Sequence, residues 1–533
     1  MILIKKFFLI IIILILLLGC SEAKEFLFGE DVYKITINSD RDVILADGVD
    51  SANFTILMYN DSNEKIKRTY TLYVNEKSYI NKSRFSSTIA GKYTIYAKVD
   101  DVESNKIVLE VSNSAVKEIK IENLDKNVII ALNKKGVSQY SLENIGDIKK
   151  DDISSSYSTK RNNLDKKKII KKDRMVRRGP IDNINNYKKN TLKRINENTK
   201  EYNFLEYDYN KSKYNIRSAT KVYGDYDSKC LIFLEKNSNF SKNFSWDSIG
   251  KYFDLNIYGK MVNVFGEPTD IDSNAKVVIL YMDLGDEYFG YFDPVDYSGG
   301  NEMEIIYMNS NLDNLGYSPN SEEMLSTLAH EFQHLINYGN RYIEGKQEMD
   351  IWIDEGLSMA AEHYVSGIPR DLYLDVFRND RDELIRNGKP LCYFDIYDNG
   401  ESYGLSYTFL EYCKNQYSGK EKLFKKIIEH EYPDYRSIVD IMKKDNSVFT
   451  DFETLLLNYR IANLVNLAGV YGYGNERNIF NFTKDNVIKQ PTEKFIGYLA
   501  PGGTVYYYPG KDYFDLYTPN NNSENIKFIK ISN

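Results

Sequence analysis

Two rhythms of apolar and polar residues divide this chain. From Val32 to about Val111 apolar positions alternate over short runs: Lys34-Ile35-Thr36-Ile37, Phe54-Thr55-Ile56-Leu57-Met58-Tyr59 and Tyr93-Thr94-Ile95-Tyr96-Ala97. A period of two sends successive side chains to opposite faces, so one face of each run is suited to burial. Ala46-Asp47-Gly48 and Ala90-Gly91-Lys92 supply turns between such runs. Residues 32–112 therefore read as an all-β sandwich of short strands.

Past residue 220 the rhythm changes. Cys230–Leu234, Val277–Met282 and Glu302–Met308 are strand-like, and the unbroken apolar run Val277–Met282 suits a strand buried on both faces. Trp246–Phe253 reads as a short helix. Between Asn320 and Asn340, Met324, Leu325, Leu328, Phe332, Leu335 and Ile336 recur at helical spacing and form one arc. Asn320 followed by Glu323 reads as a capping box, and Gly339-Asn340 as a stop. Further helices are expected over Trp352–Glu362, from Tyr403 to Tyr412, and between Glu421 and Ala468. Thr504–Tyr508 and Ile526–Ile531 are strand-like pieces of a small terminal β module.

Between these regions the pattern decays. Asn127–Leu132 can add one strand, while Lys160–Arg194 carries fourteen Lys or Arg against three Asp. A block of that kind is a solvated connector, with a processing site near Arg174–Arg178, a propeptide or contact with anionic headgroups as functional alternatives. The expected plan is a signal over 1–19, a tether over 20–31, the sandwich over 32–112 and the connector over 113–215. A mixed α+β domain over 216–468 and the β module over 469–533 complete it. A length of 533 residues suits about three domains.

Composition narrows the function. Hydrophobic residues at 42% with charged residues at 27% describe a folded chain. The net charge of −8, and the near absence of aromatics in the basic run, argue against nucleic acid as a partner. Lys5-Lys6 before the apolar run Phe7–Leu18 reads as an export signal. Cys230, Cys392 and Cys413 are too scattered for a disulfide framework or a thiolate zinc site.

The chemistry sits in His330-Glu331-Phe332-Gln333-His334, which holds two of only four histidines. Two imidazoles four residues apart project from one face of a helix and can share one Zn²⁺, with Glu331 as general base toward water. On a helical wheel His330 and His334 fall opposite the apolar arc, off the buried stripe. A catalytic zinc needs a third protein ligand. Asp354, Glu355, Glu362 and His363 in the next helix are the candidates. Asp354 points about 100° away from Glu355, Glu362 shares the Glu355 face and suits orientation of a histidine, and His363 reads as structural. The sequence after His334 lacks the Gly and His spacing of a three-histidine metzincin site.

Three resemblances add to this reading. Leu17-Leu18-Gly19-Cys20 resembles the lipobox of bacterial lipoproteins, which implies cleavage before Cys20, acylation of its thiol and a lipid anchor in the cell envelope. The turns of 32–112 resemble bacterial Ig-like modules. His330–Tyr338, Trp352-x-x-Glu355-Gly356-Leu357-Ser358, the Gly290–Pro294 loop and Tyr403–Tyr412 resemble the hyicolysin family of secreted bacterial metallopeptidases, over roughly Thr220 to Asn463.

That last resemblance implies a zincin fold of the gluzincin type and a zinc-dependent endopeptidase acting on proteins or peptides. His330, His334 and Glu355 would be its metal ligands and Glu331 its catalytic base. It also implies that Met303–Met308 is an edge strand able to pair with substrate backbone, the alternative being an ordinary sheet strand, and that a downstream Tyr, Tyr403 or Tyr407, could serve the oxyanion. The alternative reading is a surface adhesin or scaffold in which the metallopeptidase-like domain is structural.

Overall fold

The computed structural model describes residues 31–133 and 194–480 with short breaks, together with 143–144, 498–499, 502–507 and 526–532. Residues 1–30, including Cys20, and the basic run up to Asn190 lie outside the described residues. The chain forms two compact units: one runs up to Lys120 and also takes in Phe528–Lys530, and the other holds most of the chain from Ile121 onward.

The first unit is all-β. Strands β1 (Lys34–Ser39), β3 (Ala52–Tyr59) and β4 (Lys65–Ile66) form one sheet in that order, with β7 (Arg84–Phe85) also paired to β3. The other sheet runs β2 (Val43–Leu45), β10 (Ile107–Ser112), β8 (Gly91–Val99), β5 (Thr71–Val74), β6 (Lys77–Ile80), with β9 (Val102–Glu103) on β8. Alternate residues meet in one core: Ile35 and Ile37 of β1, Phe54 of β3, Leu72 and Val74 of β5, Ile95 of β8, Leu109 of β10. Full burial of each such side chain contributes about 1.5–3 kcal/mol.

The second unit is mixed α/β. Its six-stranded sheet runs β11 (Glu201–Asp208), β12 (Lys213–Tyr223), β13 (Cys230–Glu235), β14 (Val277–Met282), β16 (Ile305–Asn309), β15 (Gly290–Phe292). The middle pairings β13–β14 and β14–β16 are parallel; the outer ones are antiparallel. The sheet thus starts at Glu201, ahead of the expected start near Thr220. Every residue of β14 is buried. Val278, Leu280 and Met282 feed one cluster, while Tyr281, pointing the opposite way by the strand period, meets Trp246 of α1 (Trp246–Tyr252) edge-on at 4.9 Å.

One expectation fails in this sheet. The Ile305–Asn309 strand is interior, flanked by β14 and β15, so it has no free edge to offer a substrate. Among the described residues the outer strand on that side is β15, a three-residue antiparallel strand from the Gly290–Pro294 loop.

After the short helix α2 (Gly259–Val264), the long helix α3 (Glu322–Ile343) lies against strands β15 and β16 of the sheet, and its Phe332 ring meets Phe253 at 5.1 Å and Tyr258 at 5.7 Å in the helical turns between α1 and α2. Its cap is Ser321, whose hydroxyl accepts from Met324 N, rather than Asn320. The helix also runs past the expected stop. Gly339 lies inside it because a Cβ there would come within 2.6 Å of the Tyr297 hydroxyl and 2.7 Å of Thr269 Oγ1. Close approach, not termination, explains that glycine. Buried Arg341 anchors the last turn, donating to the carbonyls of Gln347, Ile428 and His430.

Helix α4 (Ile351–Ser366) packs between α3 and α5 (Glu401–Gln416). Gly356 permits the α4–α5 contact: a Cβ would fall 2.8 Å from Leu410 Cδ1 and 3.0 Å from the Ser406 carbonyl. Helices α6 (Lys422–Ile428), α7 (Tyr435–Asp445) and α8 (Phe452–Val465) follow, as the periodicity predicts. Val128–Asn133 pairs antiparallel with Thr504–Tyr507, joining residues far apart in the chain. No helix among the described residues is long and apolar enough to cross a membrane.

Candidate metal centre

Helices α3 and α4 bring His330, His334 and Glu355 together, each offering a ligand atom within 4.8 Å of the others. His330 Nε2 lies 3.2 Å and His334 Nε2 3.7 Å from Glu355 Oε2. The two imidazoles are one helical turn apart on α3 with ring centres 4.8 Å apart. All three residues are at most 1% exposed, and Glu331 is fully buried beside them in sequence. The wheel placed the histidines off the buried stripe. They are buried because α4 covers the face opposite the sheet, so α3 is enclosed on both sides.

The rings are held from behind. His330 Nδ1 lies 2.9 Å from Glu362 Oε1, and His334 Nδ1 lies 2.9 Å from Asp354 Oδ2. A carboxylate at Nδ1 fixes the tautomer that leaves the Nε2 lone pair for a metal. Asn337 Nδ2 in turn donates to Asp354 Oδ1 at 2.6 Å. The Ser358 hydroxyl, which donates to Gln333 Oε1, sits 3.2 Å from His334 Nδ1 and 3.3 Å from its Nε2. Glu362 thus stands where its spacing from Glu355 suggested. Asp354, a rival ligand by sequence, instead holds His334 from behind. The sequence signal for its actual place is that adjacent helical positions face different directions, so Asp354 and Glu355 can serve one histidine from two sides.

The donor set fits a metal ion. Glu355 has no hydrogen bond to either carboxylate oxygen among the described residues, although both are buried. Its charged neighbours are the two imidazoles, and a buried carboxylate is costly without a cation beside it. Two imidazole nitrogens and one carboxylate are a set that suits Zn²⁺ and leaves a position open for reactants. Local electrostatics favour positive charge: burial opposes protonation of His334, but the Asp354 and Glu355 carboxylates outweigh it and raise its pKa to about 9.

The remaining candidates lie elsewhere. His363 Nδ1 meets the Tyr407 hydroxyl at 2.9 Å and Glu411 Oε2 at 3.7 Å, outside the His330–His334–Glu355 group. Tyr403 stacks on Tyr373 at 5.0 Å. Cys230 and Cys413 are buried and free, and Cys392 is free and half-buried.

No family model matches the chain. The crystal structure of an M1 zinc metallopeptidase from Deinococcus radiodurans aligns with 85% of this chain and 94% of its own at 7% identity, with a TM-score of 0.25, too low to assign a fold. Sequence similarity is more direct. Over 327 residues, 56% of this chain and 72% of the relative, the chain is 27% identical to the neutral metalloprotease ShpI of Staphylococcus hyicus.

Proposed function

We propose that this protein is a zinc-dependent endopeptidase of the gluzincin type, held on the outside of a bacterial membrane through lipidated Cys20. The observation that carries the proposal is the buried convergence of His330, His334 and Glu355, with Glu331 on the same helix. Similarity to a metalloprotease supports it.

His330, His334 and Glu355 would hold the ion. When bound, zinc supplies Lewis acidity to a scissile carbonyl and acidifies the attacking water. Glu331 accepts that water's proton and delivers it to the leaving amine nitrogen, which avoids expelling an unprotonated amide anion. Glu362 and Asp354 hold the two imidazoles at Nδ1 and would keep each Nε2 turned toward the bound ion. The buried walls exclude bulk water, so each of these charges acts in a weakly screening medium. Substrates are proteins or peptides, and the all-β unit serves as an Ig-like spacer between the lipid anchor and the catalytic unit.

Two experiments test this reading. The purified full chain should cleave an unfolded protein substrate, lose that activity to a zinc chelator and regain it with added Zn²⁺. Metabolic labelling with a fatty-acid analogue should mark the wild type, and Cys20→Ala should remain unlabelled and leave the membrane fraction. Cleavage that persists through full zinc removal would refute the enzymatic half. Equal labelling of Cys20→Ala would refute the anchor.

A further inference from the structure

A second group of oxygen ligands lies outside this centre. The loop joining α2 to β14 reads Asp270-Ile271-Asp272-Ser273-Asn274, with carboxylates at alternate positions. The loop is tightly wound: Ser273 and Ala275 adopt φ of 59° and 57°. Asp272 accepts from Asn274 N and Nδ2, and Asp270 Oδ1 accepts from Ala275 N. Across from the loop stands Glu304, immediately before β16. Asp270, Asp272 and Glu304 each place a carboxylate oxygen within 4.8 Å of the other two.

Glu304 is the independent observation that points to a ligand. It is 1% exposed, and its two oxygens differ. Oε1 accepts from Thr269 Oγ1 at 2.7 Å and from Ile271 N at 2.9 Å, whereas Oε2 is buried with no hydrogen bond among the described residues. An ionised, unsatisfied carboxylate oxygen buried beside two more carboxylates is strongly unfavourable, and the group is relieved either by taking up a proton or by a cation that joins all three. The neighbouring Lys276 is not that cation, because its ammonium is engaged by the carbonyls of Tyr226 and Ser228. Arg194 acts on Asp272 electrostatically, with no ion pair between them among the described residues.

We infer that Asp270, Asp272 and Glu304 form a Ca²⁺ site that fastens this loop to the start of β16. An all-oxygen set selects a hard cation over Zn²⁺, and a loop that supplies ligands at alternate positions suits the larger, less geometrically demanding Ca²⁺ over Mg²⁺. The site reaches the helix that carries the histidines. Thr269, which binds Glu304, also hydrogen-bonds the Tyr297 hydroxyl at 2.8 Å, and both groups pack against Gly339 of α3. Calcium there secures the seat of α3 without touching the zinc ligands.

The test is thermal melting of the full chain in calcium-depleted buffer, then with Ca²⁺ or Mg²⁺ up to about 10 mM, well above the affinity range of weak extracellular sites. Ca²⁺ should raise Tm by about 3–8 °C, and Mg²⁺ by much less. Asp270→Asn, an exposed position expected to fold normally, should weaken the Ca²⁺ midpoint by about tenfold or more, in line with a lost charged ligand. Asp272→Asn should abolish the Ca²⁺ response yet melt no lower than wild type without calcium, since it relieves like-charge repulsion. Tyrosine-sensitised Tb³⁺ luminescence, displaced by Ca²⁺, gives a second readout, and both responses should persist in His330→Ala/His334→Ala. The inference is overturned if the wild type shows neither a Ca²⁺-dependent Tm shift nor displaceable Tb³⁺, if both aspartate variants respond as wild type does, or if Mg²⁺ matches Ca²⁺.

Discussion

The two cores of this molecule are built from opposite materials. In the all-β unit the buried side chains are apolar, and the buried polar groups among its described residues are Ser51 and Ser104, neither ionisable. Between α3 and α4 the ionisable groups buried around the metal centre are His330, Glu331, His334, Glu355 and Glu362, all at most 1% exposed, with Asp354 at 8%. Apolar packing suffices to stabilise a fold, whereas burying ionisable groups works against it. A protein that gathers these six groups around one point between two helices retains them for chemistry. The first core specifies a shape; the second is shaped around a charge.

Substitutions in the two cores should therefore have opposite signatures. Glu355→Ala should show the largest effect: zinc binding lost and cleavage down to background, checked by metal analysis and peptide assay. Its metal-free form should melt close to the metal-free wild type, because the desolvation cost of the buried carboxylate goes together with its imidazole contacts. Leu72→Ala should do the reverse, lowering the stability of the all-β unit by about 2–5 kcal/mol in a denaturant melt while cleavage per folded molecule stays unchanged. If Leu72→Ala lowered intrinsic cleavage, the separation of roles would fail.

Smaller effects sharpen the contrast. Glu362→Gln should weaken zinc affinity by about 10–100-fold in a chelator competition, since it keeps the ring contact but loses the charge behind His330. The smallest effect concerns pH. Burial disfavours the ionised Glu411 of α5, but Lys414 and His363 outweigh it and hold its pKa near 2, below the usual 4.5. A depressed carboxylate contributes stability that is full above the unfolded value and is lost as pH falls through the folded one. Acid unfolding between pH 4.5 and about 2 should therefore be less steep in Glu411→Gln, as followed by far-UV circular dichroism.

Much of this was legible in the sequence, and the failures share a cause. Strands β13 and β14 and helices α3, α4 and α5 carry strong local periodicity, so their existence could be read directly. Whatever depends on a neighbour distant in sequence could not. The end of α3 was misread because Gly339 answers to Thr269 and Tyr297, not to the helix itself. The histidines looked exposed because the wheel cannot show α4 lying over them. In the sequence Asp354 reads as a rival ligand because its contact with His334 bridges 20 positions. The outer strand β15 is only three residues long, too short for any period to register, and the pairing of Val128–Asn133 with Thr504–Tyr507 leaves no local trace.

The central claim is that the charged core is a working zinc site with Glu331 as its base. The most direct measurement compares the full-length wild type with Glu331→Gln for bound zinc by atomic spectroscopy and for cleavage of a defined peptide. Both proteins should hold about one zinc per chain, and the variant should cleave more slowly by about 10²–10⁴-fold. Wild-type cleavage by Glu331→Gln, or a wild-type protein that cleaves without zinc, would contradict it.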